Sequence, residues 1–301
     1  MTLRIRRILV PIRDLQAVPG TTLRKAAALA RTTGARIELF HALDPADSRA
    51  PESLDHAQQR LARIARSAWS RGCEVRASVA LESPPHEAIV KRAHDSRADL
   101  VIAGAHAHGR TKRLFLRNTD WELIRHSPAP LLLVKSRGLY RKPVILVAVD
   151  PFHAHAKPAR LDAQLLAGAH DMAHLLGGSV HVLHAYMPLP ANVEGPLGEP
   201  IAWENTEIER IHAKQVRAAF DRLADRAKIA PARRHLEMGD VAGELHAAVR
   251  RLRARLVVMG AVSRSGLRRI LIGSTAERVL DRLSCDVLIL KPAGVKRRVR
   301  R

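Results

Sequence analysis

The residues with the greatest potential for chemistry form one glycine-spaced run, Gly260-Ala-Val-Ser263-Arg264-Ser-Gly266-Leu-Arg268-Arg269-Ile-Leu-Ile-Gly273-Ser274-Thr275. The run follows an apolar stretch, Leu256 to Met259, and precedes a helical pattern. It therefore brings the free N–H groups of a helix start to a strand end, where an anionic group such as a phosphate could dock. Gly260 allows close backbone approach and Gly273 frees the backbone entering the helix. Ser274 and Thr275 would present N–H groups and hydroxyls at the positive end of the helix dipole. Arg264, Arg268 and Arg269 add positive charge. A second reading needs no ligand: Ser274-x-x-Glu277 has the form of a capping box that simply starts a helix.

A degraded copy of this run lies 156 residues earlier, Gly104-Ala-His106-Ala-His108-Gly-Arg-Thr-Lys-Arg-Leu-Phe-Leu-Arg117-Asn118-Thr119. It has Ala107 for Ser263, Arg117 for Gly273 and Asn118 for Ser274, and Arg13 stands where the later half has Asp150. Arg117 next to a helix start could still hold an anion through its own charge, but a side chain there would fill the volume a triphosphate needs, so the first copy is expected to have lost its nucleotide site. The capping-box pattern recurs there as Thr119-x-x-Glu122.

Other candidate constellations are weaker. His106/His108 and His153/His155 could offer imidazoles to a transition metal. Neither pair is followed at short spacing by the further ligands a closed site requires, so no metal is expected. Cys73 and Cys285 sit beside strands and read as small core residues rather than reactive thiols. Trp121, at helical spacing from Ile124, reads as core. No Ser-His-Asp order, paired-carboxylate pocket or phosphate-loop lysine is present, so no catalytic set is expected.

The elements that must position these residues are apolar runs alternating with helical patterns, the signature of parallel strands joined by crossover helices. In the first half the runs are Ile8–Ile12, Ile37–Ala42, Val75–Leu81, Leu100–Ala103 and Leu131–Val134. In the second they are Val144–Val149, Val180–Ala185, His235–Met238, Leu256–Met259 and Val287–Leu290. Equivalent positions are offset by 137 at the first strand, 143 at the second and 156 from the fourth onward, which places an insertion after the second strand of the later half. That insertion includes a Pro/Gly-rich stretch, Met187 to Pro200, long enough to be a lid or an ordered cover. The expected organisation is a first domain over 1–135, a linker over 136–143, a second domain over 144–292 and a basic tail over 293–301. The two last strands could pair or pack across a pseudo-twofold within the chain, burying edges that would otherwise invite aggregation.

Composition bounds the rest. Aromatic residues make up only 3% of the chain, so the cores must be built from Ala, Leu, Val and Ile. Two cysteines cannot form a disulfide framework and suit a reducing compartment. No apolar run reaches membrane-spanning length, and the N-terminus reads as a first strand, so the expected location is cytoplasmic. The net charge of +22 attracts nucleic acid, anionic lipid or phosphorylated ligands. Much of it is arginine scattered along helical faces, and only Lys296-Arg-Arg-Val-Arg-Arg301 is concentrated.

Both halves resemble universal stress protein domains, over almost the entire chain. The matching residues are Ile145-Leu-Val-Ala-Val-Asp150 as the opening strand, Gly239-Asp-Val-Ala-Gly-Glu-Leu245 as the start of the third helix, and Val257-Val-Met-Gly260 as the fourth strand. Gly260-x2-Ser263-x9-Gly273-Ser274 is similar to the family's Gly-x2-Gly-x9-Gly-Ser/Thr nucleotide loop, with Ser263 replacing a glycine. In the first half, Ala105 to His108 and Asn118 to Pro130 resemble the E-type tandem branch more than the generic family. The resemblance implies two tandem Rossmann-like five-stranded parallel sheets flanked by helices, an adenine-nucleotide hydrolase-like α/β fold. It also implies ATP or a related adenine nucleotide at the strand ends of the second half only, with Asp150 near the adenine or ribose and Gly260, Ser263, Arg264, Gly266, Gly273, Ser274 and Thr275 around the phosphates. The function so implied is a non-catalytic, ligand-sensing stress-response protein. The alternatives are a nucleic-acid or anionic-surface binder using the basic tail, and a weak ATP hydrolase.

Overall fold

The computed structural model describes residues 3–45, 53–105, 118–152, 160–187, 192–194, 200–202, 206–261 and 274–292. In the first half the chain runs β1 (Arg7–Pro11), α1 (Gly20–Thr33), β2 (Arg36–Leu43), α2 (Leu54–Ala65), β3 (Val75–Leu81), α3 (Pro85–Asp95), β4 (Leu100–Gly104), α4 (Asn118–His126) and β5 (Leu131–Val134). The second half repeats it as β6 (Val144–Ala148), α5 (Leu161–Leu176), β7 (Ser179–Tyr186), α6 (Thr206–Arg226), β10 (Arg234–Met238), α7 (Val241–Arg251), β11 (Leu256–Gly260), α8 (Ser274–Arg282) and β12 (Asp286–Leu290). The insertion contributes two short antiparallel strands, β8 (Asn192–Glu194) and β9 (Pro200–Ala202).

The strands form one ten-stranded sheet in the order β10-β7-β6-β11-β12-β5-β4-β1-β2-β3. Every pairing in it is parallel except one: β12 and β5 meet antiparallel, with Ile289 opposite Leu131, Leu288 opposite Leu132 and Val287 opposite Leu133. Leu132 and Leu288 are equivalent positions of the two repeats, 156 apart, and they face each other. A pseudo-twofold axis therefore passes through that pair. The seam strands are buried along their whole length, which is why Leu131 to Val134 and Asp286 to Leu290 are almost wholly apolar rather than alternating.

The two hydrophobic cores are the two faces of this sheet, and each draws on both halves. One joins Leu23, Leu29, Leu132, Leu165, Met172, Phe220 and Leu288 beneath α1, α2, α5 and α6. The other joins Ile89, Leu123, Leu133, Leu245, Val257, Leu280 and Ile289 beneath α3, α4, α7 and α8. Helix ends follow from local chemistry. Ser53 and Asp240 accept the N–H groups of His56 and Gly243 and so cap α2 and α7. Gly34 and Gly177 end α1 and α5 in the left-handed conformation.

Polar contacts across the seam are partly symmetric. Lys135 Nζ donates to the carbonyl of Leu280 near the end of α8, and its repeat-equivalent Lys291 donates to the carbonyls of Arg125 in the last turn of α4 and Ser127 just past it, at 2.9 and 2.8 Å. Each half thus lends a lysine to the negative end of the other half's last helix. A third contact has no mate. Asp286, fully buried, accepts the N–H groups of Lys135 and Ser136 at 2.9 and 2.8 Å, the Tyr140 hydroxyl at 2.5 Å and the ammonium of the equally buried Lys25. Lys25 also donates to the carbonyl and the hydroxyl of Ser136, both at 2.9 Å. Burial pulls the Lys25 and Lys135 ammonium groups below the usual lysine range and holds the Tyr140 hydroxyl well above the usual phenol range. The position equivalent to Asp286 is Pro130, so this latch of α1 and the linker onto β12 exists once.

Candidate functional site

Within each half the chain winds outward from its first strand, β1 or β6, and then returns to add the fourth on the other side. The reversal opens a crevice at the carboxyl ends of β1 and β4 and of β6 and β11, where ligands bind in open α/β sheets. The register of β6 with β11 sets Val258 opposite Val147, so Gly260 lies level with Val149, and Asp150 is the first residue beyond it. These two predicted residues are brought to one corner.

The surroundings of Asp150 are built by residues not singled out above as site residues. Its N–H donates to Oδ1 of Asp162 at 3.3 Å, and Asp162 is buried in the first turn of α5. Its own Oδ1 accepts the N–H of Phe152 at 3.3 Å, a local turn that leaves the carboxylate at the crevice. His184 of β7 places Nδ1 3.1 Å from the Val149 carbonyl. Its repeat-equivalent His41 does the same to the Ile12 carbonyl at 2.7 Å. The recurrence of His41 and His184 at one offset is visible in the sequence. Its role, holding the strand end that precedes Arg13 or Asp150, needs the crevice geometry.

Gly260 has a packing reason as well as a ligand-binding one. A Cβ there would lie 2.7 Å from Cδ2 of Leu161 at the start of α5. At Gly104 a Cβ would meet Thr22 Oγ1 at 2.7 Å and Pro19 Cβ at 3.2 Å. In both halves the glycine lets the helix after the first strand start against the fourth strand. Ser274 and Thr275 form the first turn of α8, whose first N–H groups have no intrahelical acceptor. Ser263, Arg264, Gly266 and Gly273 lie outside the described residues, as do Arg268, Arg269, both His-x-His pairs, Arg117 and the basic tail.

In the first half the corner is occupied by protein. Arg13, the counterpart of Asp150, forms an ion pair with Asp120 in the first turn of α4, and Asp120 is fully buried. The position equivalent to Asp120 in the second half is Ala276. The helix over the Thr119 and Glu122 pattern begins at Asn118, and Glu122 pairs forward with Arg125 at 2.8 Å and His126 at 3.2 Å.

Cys285 is buried, and burial pushes its thiol up to about 12, which makes it inert at neutral pH. Cys73 is half-buried. Ile124 is buried in the core, and Trp121 packs against it, partly buried. Among the described residues no group of three or more His, Cys, Asp or Glu could hold a metal ion, and no described helix is long and apolar enough to cross a membrane.

A doubly wound α/β unit, present twice and joined through its last strands, with strand-end crevices of unequal content, defines a tandem two-domain α/β protein. Its sequence matches the model of the Universal stress protein family twice, over residues 4–135 and 143–291, and the chain belongs to that family. It is 30% identical to Universal stress protein E of Salmonella typhi over 243 residues, 75% of this chain and 74% of that protein. It is 30% identical to Universal stress protein E of Escherichia coli strain K12 over 228 residues, 73% and 69% of the two chains. Among solved structures, a protein of unknown function from Pseudomonas aeruginosa PAO1 superposes with a TM-score of 0.79 at 26% identity, covering 97% of this chain and 95% of the other. A universal stress protein from Archaeoglobus fulgidus shares the fold, with a TM-score of 0.66 at 16% identity over 95% and 98%.

Proposed function

We propose that this universal stress protein is a non-catalytic cytoplasmic sensor that binds one adenine nucleotide, ATP or a close relative, in its second half only. The observation that carries this reading is the charge reversal between the two crevices. In the first, Arg13 and the buried Asp120 form an ion pair across the corner. In the second, Asp150 and Ala276 stand at those positions, and a buried Asp162 and His184 hold the strand end in place. Asp150 would accept from ribose hydroxyls or the adenine amine. The first turn of α8, with Ser274 and Thr275, would face the phosphates from the positive end of the helix, an arrangement worth up to ~2 kcal/mol per anionic group when partly buried. Ser263, Arg264, Gly266 and Gly273 complete the proposed phosphate loop. Nucleotide occupancy would act by favouring one conformation of the second half over another and so biasing association with partners.

The test is native mass spectrometry of the purified protein together with thermal shift against ATP. One nucleotide per chain is the expected ceiling, and two would contradict the account of the first half. Gly273→Arg should abolish the ATP-dependent shift, and an undiminished shift in that variant would remove the proposed site. Steady ATP turnover abolished by the same substitution would replace the sensor with a hydrolase.

A further inference from the structure

We propose that the groove between α5 and α6 is a second ligand site, specific for a small amphipathic anion with a carboxylate or phosphate head and an apolar body. The groove encloses about 580 Å³, within the range of small-molecule sites. Its floor is apolar and shallow-sided, with Ala163, Leu166 and Ala167 from α5 facing Ala219 and Leu223 from α6. Alanines on both helices leave them too short of side-chain volume to interdigitate, so the space between them stays open.

The first half is built differently beyond its second helix. There α2 stops at Ala65, and a turn at Ala68–Ser70 packs on α1. The turn carries Trp69, half-buried against the core, with its indole N–H on the Ile64 carbonyl at 2.8 Å. In the second half α6 runs on to Arg226, and the corresponding turn, Pro231–Arg233, carries no aromatic residue.

The rim supplies the head-group chemistry. Arg222, Arg226 and Lys228 line the groove and are exposed, and among the described residues none is paired with an acid. The acids beside them on α6, Asp221 and Asp225, turn the other way and take Arg234 of β10 at 3.3 and 2.5 Å. Arg222 and Arg226 stand one helical turn apart, an arrangement of like charges that destabilises a helix unless an anion bridges it. A guanidinium pair at this spacing suits the bidentate recognition of a carboxylate or phosphate. His170 closes that end, its Nε2 at 2.9 Å from the Ala227 carbonyl. The one acid in the lining, Asp162, lies near the start of α5, about 12 Å along the helix from His170, and is turned to the Asp150 N–H. The head group therefore seats at the Arg226 end and the apolar body runs over the alanines toward Pro151.

Isothermal titration of the full chain with octanoate, octyl phosphate, octanol and octyltrimethylammonium tests this. One saturable site is expected for octanoate, octyl phosphate or both, and none for the cation. The two anionic arms tell which head group is preferred. Arg222→Gln combined with Arg226→Gln should weaken binding by at least about tenfold, the equivalent of one charge-assisted contact. Ala163→Trp, at an exposed floor position where the added bulk need not disturb the core, should abolish it. Far-UV circular dichroism and the melting temperature of each variant establish that it is folded. No saturable anion binding, equal affinity for the cation, or wild-type affinity in both variants would overturn the proposal.

Discussion

The two halves share a framework and differ at the places where a ligand could touch it. Strand order, the inward lysines at the seam, the histidine clamps His41 and His184, and even the left-handed helix stops at Arg97 and Arg253 recur at fixed offsets. The departures from symmetry include the crevice, with Arg13 and Asp120 against Asp150 and Ala276; the turn after the second helix, which carries Trp69 in one half and no aromatic residue in the other; the single Asp286 latch; and the facing pair Glu38 and Ser78 against His181 and His235. The features that repeat fix backbone position. Those that do not repeat change charge or volume around that framework, and a duplicated fold can vary them without disturbing its sheet.

The latch should give the largest effect. Asp286→Ala would strand the Lys25 ammonium in the interior and leave the Lys135 and Ser136 N–H groups and the Tyr140 hydroxyl without their acceptor. Breaking a buried ion pair from one side typically costs ~3–5 kcal/mol, and urea denaturation should show a loss of that size. Lys25→Met with Asp286→Leu should recover much of it, because an apolar pair removes the stranded charge. A loss under ~1 kcal/mol for Asp286→Ala would mean that the seam is held by its apolar strands alone.

The crevices come next. Arg13→Ala leaves Asp120 buried without its guanidinium and should destabilise by ~3 kcal/mol, while leaving ATP binding untouched. Asp150→Ala should do the opposite. It loses the local bond to the Phe152 N–H but no buried charged partner such as Asp120, so its stability cost should be the smaller, and it lowers ATP affinity in titration. Equal stability losses at the two positions would erase the distinction between a plugged and an open corner. The paired glycines sharpen the same comparison. Gly104→Ala drives a Cβ onto the stiff, buried Thr22 and the Pro19 ring and should cost ~1–3 kcal/mol. Gly260→Ala meets Leu161 alone, at Cδ2 and Cγ, a buried but γ-branched side chain that can turn more readily than Thr22 and the Pro19 ring, and thermal melts should place its cost below that of Gly104→Ala.

Much of this framework is legible in the residues. The ten runs mark the ten strands of the main sheet to within a residue at either end, and the central ones, buried on both faces, show as nearly uninterrupted Val, Leu and Ile. Offsets of 137, 143 and 156 place the insertion, and Asp150 and Gly260 do meet at one crevice. What the pattern leaves out are contacts between residues far apart in the chain. Arg13 finds Asp120 across 107 positions and Lys25 finds Asp286 across 261, and no local periodicity records either. The pattern Thr119-x-x-Glu122 likewise does not register that Glu122 pairs with Arg125 and His126. The groove is invisible because alanines on two helices read as ordinary helix formers until the helices are set side by side.

The smallest effect is one of pH, at a spot where the halves carry different chemistry on the same backbone. In the first half Ser78 donates to Glu38 at 2.5 Å and Arg92 joins them at 2.6 Å. At the equivalent positions the second half has His235 and His181, stacked, with a ring nitrogen of each 3.0 Å from the other. That contact needs one N–H and one lone pair, so it cannot survive protonation of both rings. Burial lowers both histidines. The His235 charge adds to this for His181, and Arg251 does so for His235. The folded chain then binds fewer protons than the unfolded one as pH falls below the ordinary histidine value of about 6.5. Stability is accordingly complete above that pH and is lost as pH drops from about 6.5 through the lowered folded values. His126, also lowered chiefly by burial, adds to the slope from the first half. Melting temperatures of wild type and His235→Gln between pH 7 and pH 5 should converge on acidification, with the shallower slope in the variant. An identical slope would show that the histidine pair titrates as it does in the unfolded chain, and would place the acid sensitivity in the first half instead.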